Sequence, residues 1–277
     1  YDPTAQTFTG VRHMLFHRSN HEAILLPNGK VLVVGGTTLE SGFLATNEVY
    51  DPAQDTWTKD DYVMQENRSG ATANLLLNGN VLVAGGITGS KTLKSAEILD
   101  PVTHIFTKIA DMNVGRNQHS ATLLNDGRVL LAAGSTDFIF LKSAEIFDPS
   151  NNSFTLTGAL VDPPGNSGAR KSHTETLLPS GNVLLTGGKS ASGDLASSEL
   201  YDPAAGQFSL TGDLNNGRSL HTATLLNNAD VLIGGGREGT NPLLTSSLHT
   251  PHNGTFTLTA SPPIPLQRSP ATTPRAV

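Results

Sequence analysis

The chain is built from short apolar runs separated by turn residues. In "HSATLLNDGRVLLAAG", starting at His119, one run alternates small polar and apolar residues, and a second, continuously apolar run ends in small residues. Alternation predicts a half-buried strand, and a short unbroken apolar run such as Val81 to Ala84 predicts a strand buried on both faces. Between the runs, Asn28-Gly29, Asn78-Gly79, Asp126-Gly127 and Ser180-Gly181 predict tight hairpins, because Gly accepts the positive φ such turns require. A third strand follows, Ser143 to Asp148 in this copy, then an Asp-Pro turn and a fourth strand carrying Trp or Phe. His221 to Leu226 reads as another first strand.

The pattern repeats. Close relatives of the segment begin at His21, Ala71, Ser172 and His221. The tripeptides Tyr1-Asp2-Pro3, Tyr50-Asp51-Pro52, Leu99-Asp100-Pro101, Phe147-Asp148-Pro149, Tyr201-Asp202-Pro203 and the degenerate His249-Thr250-Pro251 are separated by 49, 49, 48, 54 and 48 residues. Each Pro is followed five residues later by an aromatic: Phe8, Trp57, Phe106, Phe154, Phe208 and Phe256. A period near 50 residues fits propeller blades and is too long for most helical solenoids.

Gly35-Gly36, Gly85-Gly86, Gly187-Gly188 and Gly235-Gly236 close the second strands, with Ala133-Gly134 as the variant copy. With the Tyr-Asp element and the later aromatic, these pairs resemble the kelch repeat, a family of the galactose oxidase and kelch-like superfamily. The resemblance covers essentially the whole chain and implies an all-β propeller of four-stranded antiparallel blades. Complete modules fall at about 9–57, 58–106, 107–154, 155–208 and 209–256, with a partial blade from 1–8 and 257–277. The expectation is a six-bladed ring with an incomplete or composite sixth blade; five blades, or a fragment of seven, are the alternatives. From His249 only 29 residues remain, short of a module, and Pro270 and Pro274 would remove ladder donors from a first strand there. Tyr1 falls inside a repeat, which reads as a processed chain or a fragment.

Composition narrows the classes. A net charge of -6 gives no general attraction to nucleic acid or anionic lipid. No apolar run approaches the roughly 20 residues that cross a bilayer, so direct membrane insertion is not expected. The absence of cysteine removes disulfides, thiolate metal sites and thiol nucleophiles. It also excludes the Cys-Tyr copper chemistry that a galactose oxidase-like resemblance would imply.

The candidate chemistry is periodic. Arg18, Arg68, Arg116, Arg170, Arg218 and Arg268 precede the first strands, and His21, His119, His173 and His221 follow three residues later, with Ala71 and Ala271 in the other two copies. Guanidiniums repeated around one axis would form a cationic ring at a channel mouth, able to hold a small anion through bidentate hydrogen bonds. The alternative is blade cement, each Arg held by a third-strand carboxylate: Glu48, Glu97, Glu145 or Glu199. Ser247 breaks that series, which makes Arg218 or Arg268 the better ligand candidate. Of imidazoles on successive blades, adjacent pairs alone could converge on one metal, and histidines satisfied by backbone at the strand starts are the favoured reading, so neither a metal nor a cofactor is expected.

Two regions vary against the constant frame. "GALVDPPGNSGARKSH" lengthens one connection, bringing Asp162, Asn166, Arg170 and Lys171, and the loops between second and third strands differ far more than the strands do. Such loops usually map to a binding face. Three sequons, at Asn67, Asn151 and Asn253, matter only if the chain is secreted through a glycosylating pathway. The leading expectation is a noncatalytic protein- or glycan-binding module of a larger extracellular or cell-surface protein. The alternatives are a galactose oxidase-like or sugar-modifying enzyme domain, and a structural subunit completed by strands from a neighbouring chain.

Overall fold

The structure is a computed structural model, and it describes residues 2, 4–59, 63–137, 139–251 and 254–259. Five four-stranded antiparallel sheets follow one another along the chain. The first contains Glu22–Leu25, Val31–Val34, Asn47–Asp51 and Thr56–Lys59; the second Thr72–Leu75, Val81–Ala84, Ala96–Asp100 and Ile105–Lys108. The third contains Ser120–Leu123, Val129–Ala132, Ala144–Asp148 and Ser153–Leu156; the fourth Thr174–Leu177, Val183–Thr186, Ser198–Asp202 and Gln207–Leu210. The fifth contains Thr222–Leu225, Val231–Gly234, Ser246–Thr250 and Thr255–Thr259. First strands of successive sheets pack against one another, so each sheet is a propeller blade with its first strand innermost.

The repeated tripeptide and its later aromatic are cross-strand neighbours. Tyr50 faces Trp57, Phe147 faces Phe154 and Tyr201 faces Phe208 across the outer strand pair. Their ring centroids lie 5.0, 4.9 and 4.8 Å apart, tilted rather than stacked flat. The Asp between them closes the turn: Asp100 Oδ1 accepts the N–H groups of Val102 and Thr103, and Asp202 Oδ1 those of Ala204 and Ala205.

The hydrophobic core lies between blades. Leu32 and Val34 of the first blade pack with Val81, Val83, Leu99 and Phe106 of the second. Leu82 and Ala84 then face Val129, Leu131 and Phe147; Leu130 and Ile146 face Val183, Leu185 and Tyr201; Leu184 faces Val231 and Ile233. The continuously apolar second strand therefore serves two interfaces, its alternate residues pointing to opposite neighbours. Met64, Met112, Leu160 and Leu214, from the connections between blades, are buried in the same clusters.

The first residue of the small pair at the end of the second strand approaches the next blade, and the second approaches the start of its own blade, as Gly36 does at Ser19 and His21. A Cβ on Gly187, whose φ is +62°, would lie 2.7 Å from the Arg218 carbonyl oxygen and 2.9 Å from His221 Cε1. Ala133 adopts the same left-handed conformation at φ 56°. A chain of backbone hydrogen bonds also runs around the axis. Gly70 N–H donates to the Asn20 carbonyl, Gln118 to Gly70, Ser172 to Gln118 and Leu220 to Ser172, each at 3.0 Å.

Five blades are described where six were expected, and residues 260–277, with Arg268, Ala271 and the two prolines, lie outside the described residues. The first strands of the first and fifth blades do not pack against each other as neighbouring first strands do elsewhere. Leu232 is consequently only half-buried, whereas its counterparts Leu32, Leu82, Leu130 and Leu184 are buried. The third strand expected from Ser143 begins at Ala144, and the first strand expected over 221–226 is Thr222–Leu225, because Leu226 N–H already closes the turn on the Asp230 carbonyl. Five two-residue hairpins that were read only as loops fill the connections from second to third strand: Thr37–Thr38 with Gly42–Phe43, Ile87–Thr88 with Lys91–Thr92, Ser135–Thr136 with Ile139–Phe140, Lys189–Ser190 with Gly193–Asp194, and Arg237–Glu238 with Asn241–Pro242.

Two glycine substitutions separate backbone strain from blade contact. Gly235, at φ +65°, has nothing within 4 Å of an added Cβ, so Gly235→Ala is expected to cost about 1 kcal/mol. Gly187→Ala adds the collision with Arg218 and His221 and is expected to cost at least about 1 kcal/mol more, measured by urea unfolding.

Candidate functional site

Arg68, Arg116, Arg170 and Arg218 each join two blades. Arg68 N–H donates to the Leu44 carbonyl, and the Arg68 carbonyl accepts from Gly36 N–H at 2.9 Å, both partners belonging to the preceding blade. Its guanidinium enters its own blade, where Nη1 donates to the carbonyls of Gly85 and Ser95 at 2.7 and 3.0 Å, and Nη2 to Glu97 Oε1 at 2.8 Å. Arg116 repeats this with Ala133, Ser143 and Glu145, and Arg170 with Gly187, Ser197 and Glu199. Arg18 pairs with Glu48 at 2.5 Å. All four pairs are buried.

The carboxylate has a second task. Glu145 Oε2 accepts Asn113 N–H at 2.8 Å and Oε1 accepts Val114 N–H at 3.0 Å, which ties down the connection entering that blade. Glu97 holds Gln65 and Glu66 in the same way, Glu48 holds Leu15 and Phe16, and Glu199 holds Val161. Burial alone would raise the Glu145 carboxyl, but the hydrogen bonds from Arg116 and Asn113 outweigh it and hold the group below its ordinary value.

The histidines bridge neighbouring blades. His119 Nε2 meets Thr72 Oγ1 at 2.9 Å, His173 meets Ser120 Oγ at 2.5 Å, and His221 meets Thr174 Oγ1 at 2.9 Å. Burial, reinforced by the adjacent Arg, pushes His119 and His173 well below the usual imidazole range and His221 to about 4. These rings are neutral at pH 7. His21 is half-buried at the start of the first blade, with its Nδ1 unpartnered among the described residues. No three His, Asp or Glu side chains among the described residues converge as a metal-binding set.

A family model described as the Kelch motif matches residues 23–59 and 71–113, the first and second blades. The chain is a β-propeller whose first two blades carry kelch motifs. Among solved structures, one titled "Structure of YjhT" superposes on the chain with a TM-score of 0.71 at 16% identity. The match covers 88% of this chain and 84% of that one, and it carries the fold alone. No curated protein matches the chain. No helix among the described residues is long and apolar enough to cross a membrane.

The propeller departs from its own repeat in the second and fifth blades. In the second blade Ala71 stands where the others have His, and Glu22 of the first blade lines a small cavity with Ala71, Gly36 and Arg68. Burial pushes the Glu22 carboxyl up to about 7. Glu175, bonded through one oxygen to Thr122 Oγ1 at 2.8 Å, is pushed up to about 7 for the same reason. In the fifth blade Ser247 replaces the carboxylate, and among the described residues the Arg218 guanidinium donates only to the Gly235 and Thr245 carbonyls and Thr245 Oγ1.

The short hairpins line the same end of the blades as the arginines. The residue after each Arg pairs with the first hairpin residue, as in Ser19 with Thr37 and Lys171 with Lys189. Adjacent hairpins also touch: Asp194 Oδ2 accepts Gly239 N–H at 2.6 Å, and Thr92 Oγ1 accepts Asp137 N–H at 3.2 Å. The inserted loop is tied to this rim, Asp162 taking Lys142 at 2.9 Å and Asn166 accepting from Ser192 at 2.5 Å. Lys171 lies 5.6 Å from the centre of the Phe140 ring. Leu39 and Ile139 are fully and largely exposed there, and Leu39 borders a cavity of ≈ 290 Å³ with His17, Arg18 and Thr38. On the opposite end, a ≈ 320 Å³ cavity between the third and fourth blades is lined by Asp126, Arg128, Ser180, Asn182 and Asp202. Sequence reasoning missed it because its parts lie in separate turns.

Glu145→Gln keeps the volume but leaves Arg116 without a counter-charge, and is expected to lower unfolding free energy by about 3–5 kcal/mol in denaturant titrations. Glu22 binds its proton more tightly in the folded chain than in the unfolded one. Its ionisation penalty is therefore absent below about pH 4.5, grows toward pH 7 and is complete above it. Glu22→Gln is expected to leave stability unchanged at pH 4 and to raise it at pH 8, by up to about 3 kcal/mol.

Proposed function

We propose that this kelch propeller is a noncatalytic binding module that presents its hairpin rim to a protein partner, as part of an extracellular or cell-surface protein. The observation that carries the reading is the rim itself: five hairpins of one backbone design carry five different sequences, with Leu39 and Ile139 exposed at their tips. A constant frame with varied tips supports selective recognition, and exposed aliphatic side chains favour a protein surface over a sugar. The sparse lysine and abundant Thr, Ser and Asn support the extracellular setting. The four paired arginines are occupied within their blades, which leaves the rim as the better candidate surface.

A second reading concerns the interval between the fifth and first blades. The half-buried Leu232 and the exposed Leu25 and Leu225 favour completion of a sixth position by strands from this chain or a neighbouring copy. Light scattering across a concentration series distinguishes the two sources, since only the neighbour makes the mass concentration-dependent.

Peptide and glycan arrays probed with the folded protein test the first reading. Binding to peptides, weakened at least tenfold by Leu39→Asp or Ile139→Asp, is expected. Binding confined to glycans would replace the protein partner with a sugar, and blank arrays from intact folded protein would overturn the module.

A further inference from the structure

We propose that the fifth blade holds a binding site for a small carboxylate, in the seat that a glutamate of the chain fills in every other described blade. Ser247 stands opposite Ile233, the register position at which Glu199 faces Leu185, Glu145 faces Leu131, Glu97 faces Val83 and Glu48 faces Val33. The seat's other walls are in place. Arg218 is fully buried, and its Nη1 keeps the two carbonyl contacts of the repeat, to Gly235 and Thr245 at 3.0 Å each. Its Nη2, which in the other blades meets a carboxylate, reaches only Thr245 Oγ1 at 3.2 Å. Glu238 acts on this guanidinium from outside ion-pair distance. Ser247 Oγ is fully buried and has no partner among the described residues.

The connection entering the blade completes the arrangement. Asn215 and Asn216 occupy the positions at which Gln65 and Glu66, or Asn113 and Val114, donate their N–H groups to the glutamate. Neither N–H meets an acceptor among the described residues. Three donors built for one carboxylate, the guanidinium and two backbone amides, therefore remain where the carboxylate is missing. Beyond Cβ, a glutamate side chain is a CH₂ and a carboxylate, which are the atoms of acetate. Serine removes that fragment and leaves a hydroxyl that can donate to an incoming anion. Asn215 is exposed, so the seat adjoins solvent. Formate and acetate match it in charge, planarity and size; phosphate is larger and tetrahedral.

The experiment is thermal unfolding of the whole chain with sodium formate, acetate, chloride or phosphate at constant ionic strength. A saturable rise with formate and acetate is expected, roughly 2–3 °C for each tenfold excess over the dissociation constant, and none with chloride. Ser247→Glu supplies the missing group covalently, so it is expected to raise Tm and abolish the acetate response. A wild-type curve without a saturable carboxylate shift overturns the proposal, as does an undiminished shift in Ser247→Glu. Broadening of the acetate methyl NMR signal gives a readout independent of stability. It is expected with wild type and Ser247→Ala and lost in Arg218→Gln; persistence in Arg218→Gln overturns the site.

Discussion

A guanidinium taken out of water needs hydrogen-bond acceptors, and in four of the five described blades it is given a counter-charge as well. In this propeller that requirement dictates how one blade meets the next. The Arg backbone is bonded to the blade before it while its side chain is sunk in the blade it introduces, so neither half of the residue is satisfied until both blades are in place. The partner glutamate extends the constraint by gathering the N–H groups of the incoming connection. The close approach of the Arg carbonyl then explains the first glycine of the pair at the end of the preceding blade's second strand. Four features of the repeat, Arg, Glu, the first glycine of the pair and the connecting turn, are thus one interaction seen from different positions.

Around this polar frame the apolar core is arranged as layers between sheets. A second strand such as Val129–Ala132 must be apolar at every position because it contributes to the layers on both sides. The histidine-to-hydroxyl bridges work at the same interfaces, where burial keeps the imidazoles neutral.

Much of the blade was legible in the sequence because its signals are local and repeated. Alternation, the Asn-Gly turns and the Asp-Pro element each encode a turn or strand directly, and the period revealed that Tyr50 and Trp57 belong to one unit. The hairpins at the rim were not legible, since two-residue ladders such as Lys91–Thr92 are too short to show any periodicity. The Arg series was visible as a period, but spacing carries no information about depth. A ring facing solvent and a ring sunk in sheets give the same sequence interval, and only the register that sets Glu97 beside Val83 separates them. The replacement of Glu by Ser at position 247 could be read from the sequence, whereas the orphaned Ser247 hydroxyl could not.

The backbone circle at the hub has a direction. In each link from Gly70 to Leu220 the N–H belongs to the later blade and the C=O to the earlier one. A ribosome delivers these groups in the same order, so every newly emerged blade finds its acceptor waiting on a neighbour already made. The hub is therefore polar from the amino-terminal side, and a blade lost from the series would strand the single donor of the blade that follows it.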